Sequence, residues 1–414
     1  MNSPWAPLAG VRVVDFGWIV AAPYAGFLLA ALGAEVIKVE SKQRCDPLRL
    51  RFAIRNKVID WDTADISSTF HAVNRGKCGL AVNIKSPEGL ALIKSLIRTS
   101  VILLENYTVG TLERFGLDDN ILATLNPRLI RVSFTAAGRV GSLAGLRGYA
   151  ATTSSLAGLE GSVGYPDDEN PIGMLNYGLA DYTAGTHGAF AALREIARGE
   201  AREYRSIDAA QLAANVDMLG AGFARFGANL PPIAGNQHLF RSPHGIYPCG
   251  DGGYVALVVS SDCDWQRFAM VSGIDEPELA YCATRLDQRQ RVDQLVKFWT
   301  LTLNRDEVVT VLQRAEIEAA PVLSLPERHE HPIFVERGSS VAVTLNNGTA
   351  INLPRQPWIV NGRAQSPVAS LRAPNLGEHS EYICRKILGL SELDFDQLVR
   401  GGVVDTPQSL RNVG

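Results

Sequence analysis

The sequence predicts an α/β protein, with a large domain on a parallel, doubly wound sheet and a smaller α+β domain. Three observations predict it. Val11 to Glu40 reads strand–helix–strand, the unit from which parallel sheets are built. Apolar runs suited to buried strands then alternate with helical stretches as far as Phe134. Near Gly227 the composition changes, and a hairpin signature replaces the alternation. With 414 residues, 46% hydrophobic and 20% charged, the chain is folded in composition and too long for one ordinary core. The expected division is a large domain over 1–225, a small domain over 226–325, and a return to the large domain over 326–414.

Taken in order, Val11 to Phe16 is a short buried strand. A glycine-containing turn leads to a helix over Pro23–Leu32, which Gly33 stops, and Glu35–Glu40 is the second strand. The turn lies at the carboxyl end of the sheet, where doubly wound folds place ligands. Ser41 to Thr69 is polar and irregular. Its basic residues Lys42, Arg44, Arg49, Arg51 and Arg55 suit either phosphates or a solvated surface. Cys78–Ile84 is another strand. Ser86-Pro87-Glu88 caps a helix that runs to Arg98, and strands follow at Val101–Glu105 and Ile130–Phe134. Gly138 to Gly173, with Gly158, Gly161 and Gly164 evenly spaced, reads as a lid or a turn-rich connection. Helices are expected over Tyr182–Arg198 and Ser206–Gly222. Pro243 to Leu257 holds two strands around an Asp-Gly turn, helical stretches reach Glu318, and a last helix spans Ser380–Leu388.

Several classes are excluded at this point. No G-x-G-x-x-G follows the first strand, which argues against a nicotinamide site. A net charge of −3 argues against broad nucleic-acid binding and a polybasic membrane surface. The uncharged stretch Phe16–Ala34 approaches membrane-spanning length, but Pro23, Gly17, Gly26 and Gly33 interrupt it. The N-terminus lacks the pattern of a signal peptide. The six cysteines are scattered without a ligand or disulfide framework, which fits free thiols in a reducing cytoplasm, and His329 with His331 lacks a third ligand. No metal and no permanently bound cofactor are expected.

The residue around which chemistry is expected is Asp181, in Gly178-Leu179-Ala180-Asp181-Tyr182-Thr183-Ala184-Gly185. It stands where a long apolar helix begins. There, backbone N–H groups and the helix dipole favour an ionised carboxylate. Gly178 and Gly185 leave room for a ligand against the backbone. An Asp at a helix start also serves simply as a cap, and the local pattern leaves both readings open.

Stretches along nearly the whole chain, in order, resemble the class III coenzyme A-transferase family, which includes formyl-CoA and carnitine CoA-transferases. They are Pro7–Asp15, Ala22-Pro23-Tyr24, Leu32–Glu40, Asn83–Gly89, Glu105-Asn106-Tyr107 with Leu112-Glu113-Arg114, Asn126–Ile130, Ala180-Asp181 with Gly185, Pro243–Tyr254 and Ala373–His379. The resemblance implies a large Rossmann-like domain, a smaller domain, and a homodimer whose subunits interlock. It implies coenzyme A contacts at Ile19, Ala21, Lys85, Asn106, Tyr107 and Arg114, with Asp181 as the nucleophile. Ser41 stands where relatives often carry Arg, so Lys42 or Arg44 is expected to meet the nucleotide phosphates. Val20 falls where oxalate-active members carry Gln, which argues against oxalate and formate. Ser133-Phe134-Thr135 lacks the usual glycine–aromatic–glycine turn, and the family's glycine-rich covering loop has no counterpart near Pro231–Ser242.

What the resemblance implies for activity is transfer of coenzyme A from an acyl-CoA thioester, such as succinyl-CoA, to a carboxylic acid through an aspartyl-CoA thioester. A carboxylate nucleophile splits such an exchange into easier steps. Arg147, Arg241, His238 and His244 are available to hold a substrate carboxylate, and each also reads as an ordinary surface or interface charge. Alternatives are an intramolecular transfer within one dicarboxylic acid, a non-catalytic CoA-binding subunit, and α-methylacyl-CoA racemisation on the same scaffold. Racemisation needs a second acid/base group opposite Asp181. Relatives that racemise carry a His in a Gly-His-Asp segment, and here Tyr149 stands near its place in Arg147-Gly148-Tyr149-Ala150.

Overall fold

The computed structural model describes residues 5–51, 53–55, 58–165, 172–173, 178–199, 203–220, 226–227, 235–362, 366, 368 and 370–411. The chain divides into two compact units. The first comprises Met1–Leu159, Met174–Gly220 and Ile333–Gly414, and the second Glu160–Gly173 with Ala221–Pro332.

The first unit is built on β1 (Arg12–Asp15), β2 (Glu35–Glu40), β5 (Cys78–Val82), β6 (Ile102–Glu105), β7 (Ile130–Ser133), β8 (Arg205–Asp208) and β14 (Val404–Asp405). They form one seven-stranded sheet in the order β14-β5-β2-β1-β6-β7-β8, parallel throughout except for antiparallel β14. Side chains alternate between the two faces, as the pleat requires. Val13, Ile102, Leu104, Ile130 and Val132 enter one core, and Val14, Leu103, Ile37 and Leu80 the other. Both faces are covered, which explains why the inner strands read as continuous apolar runs.

The uncharged stretch 16–34 follows β1 as a turn and the helix Ala21–Ala31, buried on nearly every side. The helix ends as expected at Gly33, whose φ of +97° is open to glycine, and the amides of Gly33 and Ala34 reach back to the carbonyls of Ala30 and Leu29. Among the described residues no helix is long and apolar enough to cross a membrane. Ser86 caps its helix by accepting from the Gly89 amide at 3.0 Å, with Pro87 in the first turn.

The segment after β2 is less irregular than expected. It carries a small hairpin, β3 (Ile54–Arg55) with β4 (Val58–Ile59), and short helices at Pro47–Leu50, Trp61–Ala64 and Ser68–Asn74. Arg49 corrects the phosphate reading, because it is fully buried. Its guanidinium contacts Glu40 at 2.7 Å, Asp65 at 2.7 Å and the Pro374 carbonyl at 3.0 Å. Burial works to raise Glu40, but Arg49 and Lys38 overcome it and hold the carboxyl below its usual range. The Arg55 side chain lies outside the described residues.

Two further expectations are corrected. The helix expected over 206–222 is strand β8 followed by a helix at Gln211–Met218, with residues 221–222 outside the described set. Edge strand β8 is short and contributes Ile207 as its one apolar residue, a pattern too sparse for either period. The stretch 380–388 is a brief α-turn running into a π-helix at Ile383–Ile387, and it is not the last element. A helix at Glu392–Arg400, strand β14 and a helix at Pro407–Arg411 follow.

The second unit contains an antiparallel sheet of β9 (His244–Pro248), β10 (Tyr254–Val258) and β11 (Glu318–Pro321) in the order β11-β10-β9. The expected Asp-Gly turn joins β9 to β10, with Gly252 at φ +81°. Helices at Asp262–Ser272, Arg289–Thr300 and Arg305–Arg314 surround a core of Trp265, Phe268, Val292, Val296, Val308 and Leu312. A last hairpin, β12 (Ser340–Thr344) with β13 (Ala350–Pro354), returns to the first unit.

Candidate active site

Asp181 lies in the first turn of the helix Leu179–Ile196. The helix begins earlier than the sequence suggests. Its N-cap is Gly178, at φ +59°, so Asp181 is not the cap and its carboxylate is free of that duty. The face behind it is a run of small residues, Ala180, Ala184, Gly185, Gly188, Ala189 and Ala192. This allows close packing on the Ala21–Ala31 helix. A Cβ at Gly185 would stand 2.8 Å from the Ala21 carbonyl oxygen, and one at Gly188 2.3 Å from the Phe134 ring. Tyr24 and Tyr182 meet edge to face with centroids 4.9 Å apart. The first turns of both helices meet through these rings, and Ala21 lies against Gly185 of the Asp181 helix.

Among the described residues the carboxylate accepts one hydrogen bond, at Oδ1, from Gln211 Nε2 at 2.6 Å. Burial pushes the Asp181 carboxyl up to about 6, and the Gln211 bond only partly opposes it. Gln211 opens its helix right after β8, and its own amide donates to the Thr135 carbonyl at 2.9 Å. No motif signalled this residue. A lone Gln thirty residues from its partner has no periodicity to betray it.

The loop after β1 is held from two sides. The Trp18 amide donates to Asn106 Oδ1, and Asn106 Nδ2 donates to the Trp18 carbonyl, both at 2.7 Å. The Ile19 amide donates to the Asp46 carboxylate at 3.1 Å while Ile19 takes a positive φ of 62°. A β-branched residue there is strained, and the surrounding bonds must hold it. Asp46 in turn is ion-paired with buried Lys38 at 2.8 Å, and Lys77 meets Asp15 at 2.7 Å. Trp18 is the centre of this cluster, and no motif in the sequence marks it. Tyr107 packs edge-on to it at 5.6 Å and the Arg44 guanidinium covers it at 4.7 Å. Ile19, Asn106, Tyr107 and Arg44 are thus gathered around one loop. Burial pushes the Tyr107 phenol well above its ordinary range.

The other sequence-derived residues are more scattered. Burial raises the Asp405 carboxyl above its usual range, and Lys42 beside it only partly opposes this. Lys85 and Arg114 are exposed and follow the carboxyl ends of β5 and β6, with Arg114 bonded to Thr111 at 2.8 Å. Arg147 is exposed, and Tyr149, 70% exposed, precedes the helix Ala150–Leu156. His238 belongs to the second unit, as do Arg241 and His244. Its ring lies 5.2 Å from that of His244, and desolvation with nearby His244, Arg241 and Arg289 holds it below its usual range. Of the glycine-rich stretch 138–173, residues 166–171 lie outside the described set, as do 231–234 of the expected covering-loop region. Among the described residues no group of three or more His, Cys, Asp or Glu is placed to hold a metal ion.

Among the described residues the arrangement offers a half-buried carboxylate bonded at one oxygen, and a pinned loop at the carboxyl end of a parallel sheet. The family described as CoA-transferase family III matches residues 8–380. The chain is 31% identical over 393 residues to a succinate–glutarate CoA-transferase of Agrobacterium fabrum, covering 92% of this chain and 96% of that protein. It is 30% identical over 409 residues to the beta subunit of a succinyl-CoA–L-malate CoA-transferase of Chloroflexus aurantiacus, covering 95% and 96%. The crystal structure of a CAIB/BAIF family protein from Brucella suis superposes with a TM-score of 0.79 at 27% identity, over 92% of this chain and 99% of that one. The chain belongs to CoA-transferase family III and is an enzyme of the transferase class.

Proposed function

We propose that the enzyme moves coenzyme A from the thioester of a dicarboxylic acid, succinyl-CoA being the first choice, to a second carboxylic acid, with Asp181 as nucleophile. The observation that carries this reading is the Asp181 carboxylate, bonded at one oxygen by Gln211 and set at the start of a helix packed on small residues. The names of the two relatives, both acting on succinate or succinyl-CoA, support the donor class. Asp181 attacks the thioester carbonyl, giving a mixed anhydride and CoA thiolate. The thiolate then attacks the anhydride, releasing the first acid and leaving an aspartyl-CoA thioester. The second acid reverses the sequence. Each step conserves the acyl activation, provided water is excluded. The stretch 138–173 is proposed as the cover.

In this reading Ile19, Ala21, Lys42, Arg44, Lys85, Asn106, Tyr107 and Arg114 bind coenzyme A. Val20, Arg147, Tyr149 and His238 serve the acyl groups. The enzyme works in the cytoplasm as a homodimer. Racemisation is disfavoured because, among the described residues, the group bonded to Asp181 is a carboxamide, which neither takes nor gives a proton at neutral pH. Transfer within a single dicarboxylic acid follows the same steps.

The test is the intact mass of the protein after incubation with a panel of acyl-CoA thioesters and no acceptor, followed by peptide mapping. A CoA-sized adduct on the Asp181 peptide, largest with succinyl-CoA and absent in Asp181→Ala, is the expected result. Transfer at a normal rate by folded Asp181→Ala overturns the assignment. So does solvent deuterium at the α-carbon of a branched acyl-CoA without any adduct.

A further inference from the structure

We propose that Gln211 is a catalytic donor: its carboxamide N–H, already on Asp181 Oδ1, leaves Oδ2 as the attacking oxygen and holds the negative charge that forms on Oδ1 when thiolate attacks the aspartyl carbon. This rests on the proposed function above and assigns a partner to its nucleophile.

The geometry begins with the backbone. The amides of Gln211 and Leu212 donate to the carbonyls of Thr135 and Ala136, both at 2.9 Å, so the start of this helix is anchored to the segment leaving β7. The Gln211 side chain is buried, and its Oε1 lies 3.3 Å from the hydroxyl of Thr153 on the Ala150–Leu156 helix. An ionised carboxylate accepts only, so the atom 2.6 Å from Asp181 Oδ1 is the amide nitrogen. A donor fixed through three elements needs no reorganisation when charge appears.

The electron balance shows why a donor is needed at this oxygen. In the first half, Oδ2 forms a bond to the thioester carbon and the carbon–sulfur bond breaks, sending the electron pair to CoA thiolate. Oδ2 is now the bridging atom of the anhydride, and Oδ1 is a neutral carbonyl oxygen. In the second half, sulfur bonds to the Asp181 carboxyl carbon and the carbonyl pair moves onto Oδ1. Collapse restores that carbonyl and breaks the bond to Oδ2, which departs in the carboxylate of the first acid. No proton enters or leaves, so the charge on Oδ1 is never quenched by proton transfer. A hydrogen-bond donor is the means of holding it, and the Gln211 N–H is already there.

Among the described residues the titratable groups around the pair are Tyr182 on the same helix and Tyr24 on the Ala21–Ala31 helix, whose phenols burial raises above their ordinary range. The other neighbours are Thr153, and beyond Thr135 the Asp208 carboxylate at the end of β8, bonded to the Thr135 hydroxyl at 2.9 Å. None of these is a cation able to take over the role.

The test uses the full chain and succinyl-CoA, timing the gain of coenzyme A on the Asp181 peptide. If wild type forms no adduct, the proposed function itself fails, before any variant is made. With wild type active, Gln211→Ala is expected to slow adduct formation by roughly 10²–10³-fold, the usual effect of removing one such donor, with CoA affinity unchanged by calorimetry. Gln211→Glu keeps the shape. Its carboxyl shares one proton with Asp181 and donates until that proton is lost. The rate in this variant is expected to fall on the alkaline side, a limb the wild type lacks. Adduct formation at the wild-type rate by Gln211→Ala overturns the proposal. So does a Gln211→Glu variant that is folded and binds CoA but keeps the wild-type pH profile, or is inactive at every pH.

Discussion

Asp181 carries its charge against its surroundings. Its carboxyl is displaced from an ordinary 3.8 to about 6, chiefly by burial. The folded state therefore holds the proton more tightly than the unfolded chain, and stability contributed by the neutral form is lost as pH rises through that window. Asp181→Asn keeps an oxygen for Gln211 and removes the charge. Above pH 6 this variant is expected to be more stable than wild type, by on the order of 1–3 kcal/mol, and below pH 4 the two should coincide. Thermal melts at both pH values check this, and equal melting temperatures throughout would refute it. The same displacement means that wild-type adduct formation should weaken as pH falls through about 6, where the nucleophile is protonated. Legibility at this scale is uneven. Asp181 stands out in the sequence because glycines flank it on one helix. Gln211 and Trp18 do not, since each meets its partner across a long separation, 30 residues for Gln211 and Asp181 and 88 for Trp18 and Asn106.

At the scale of elements, the packing of the Asp181 helix on the Ala21–Ala31 helix depends on an absent side chain. Gly185→Ala would ordinarily favour a helix interior, by about 1 kcal/mol. Here the added methyl would meet the Ala21 carbonyl at 2.8 Å, and the helices must part. A net loss of about 1–3 kcal/mol in urea denaturation is expected, the range for overpacking. A gain would show that the two helices are not held at this spacing. The elements legible in the sequence are those whose burial is two-sided or strongly periodic: β1, β2, β6, β7 and the helix Pro87–Arg98, with Leu92, Ile93, Leu96 and Ile97 inside. β8 and β14 were not. Edge strands of four and two residues carry too little pattern, and only the neighbouring strand decides that they pair.

For the molecule as a whole, the first unit is assembled from three separated stretches of chain, and its sheet is completed by the last of them. The outward amides of β5 and of Asn83 just after it show how. Gly79 donates to the His379 ring at 3.2 Å, Ala81 to the Ser380 hydroxyl at 3.1 Å and Asn83 to the Val403 carbonyl at 2.8 Å. An open strand edge with unpaired amides is a template for pairing with other chains. A chain ended at Arg372 is expected to form aggregates in place of the wild-type species on size-exclusion chromatography, and a well-behaved product would show that the edge needs no cover. The closing stretch Ala373–His379, conspicuous in the sequence through its likeness to the family, thus has a structural task of its own.

That cover also imposes an order in time. Ribosomes add about 5–20 residues per second, so tens of seconds separate emergence of β5 from emergence of the segment that shields it. During that interval the nascent chain displays a finished apolar strand with one bare flank. Crowded polysomes would bring such flanks from neighbouring copies together, and slower elongation would lengthen the exposure. Yield of the native enzyme is therefore set partly by how the growing chain is sheltered, before any substrate is met.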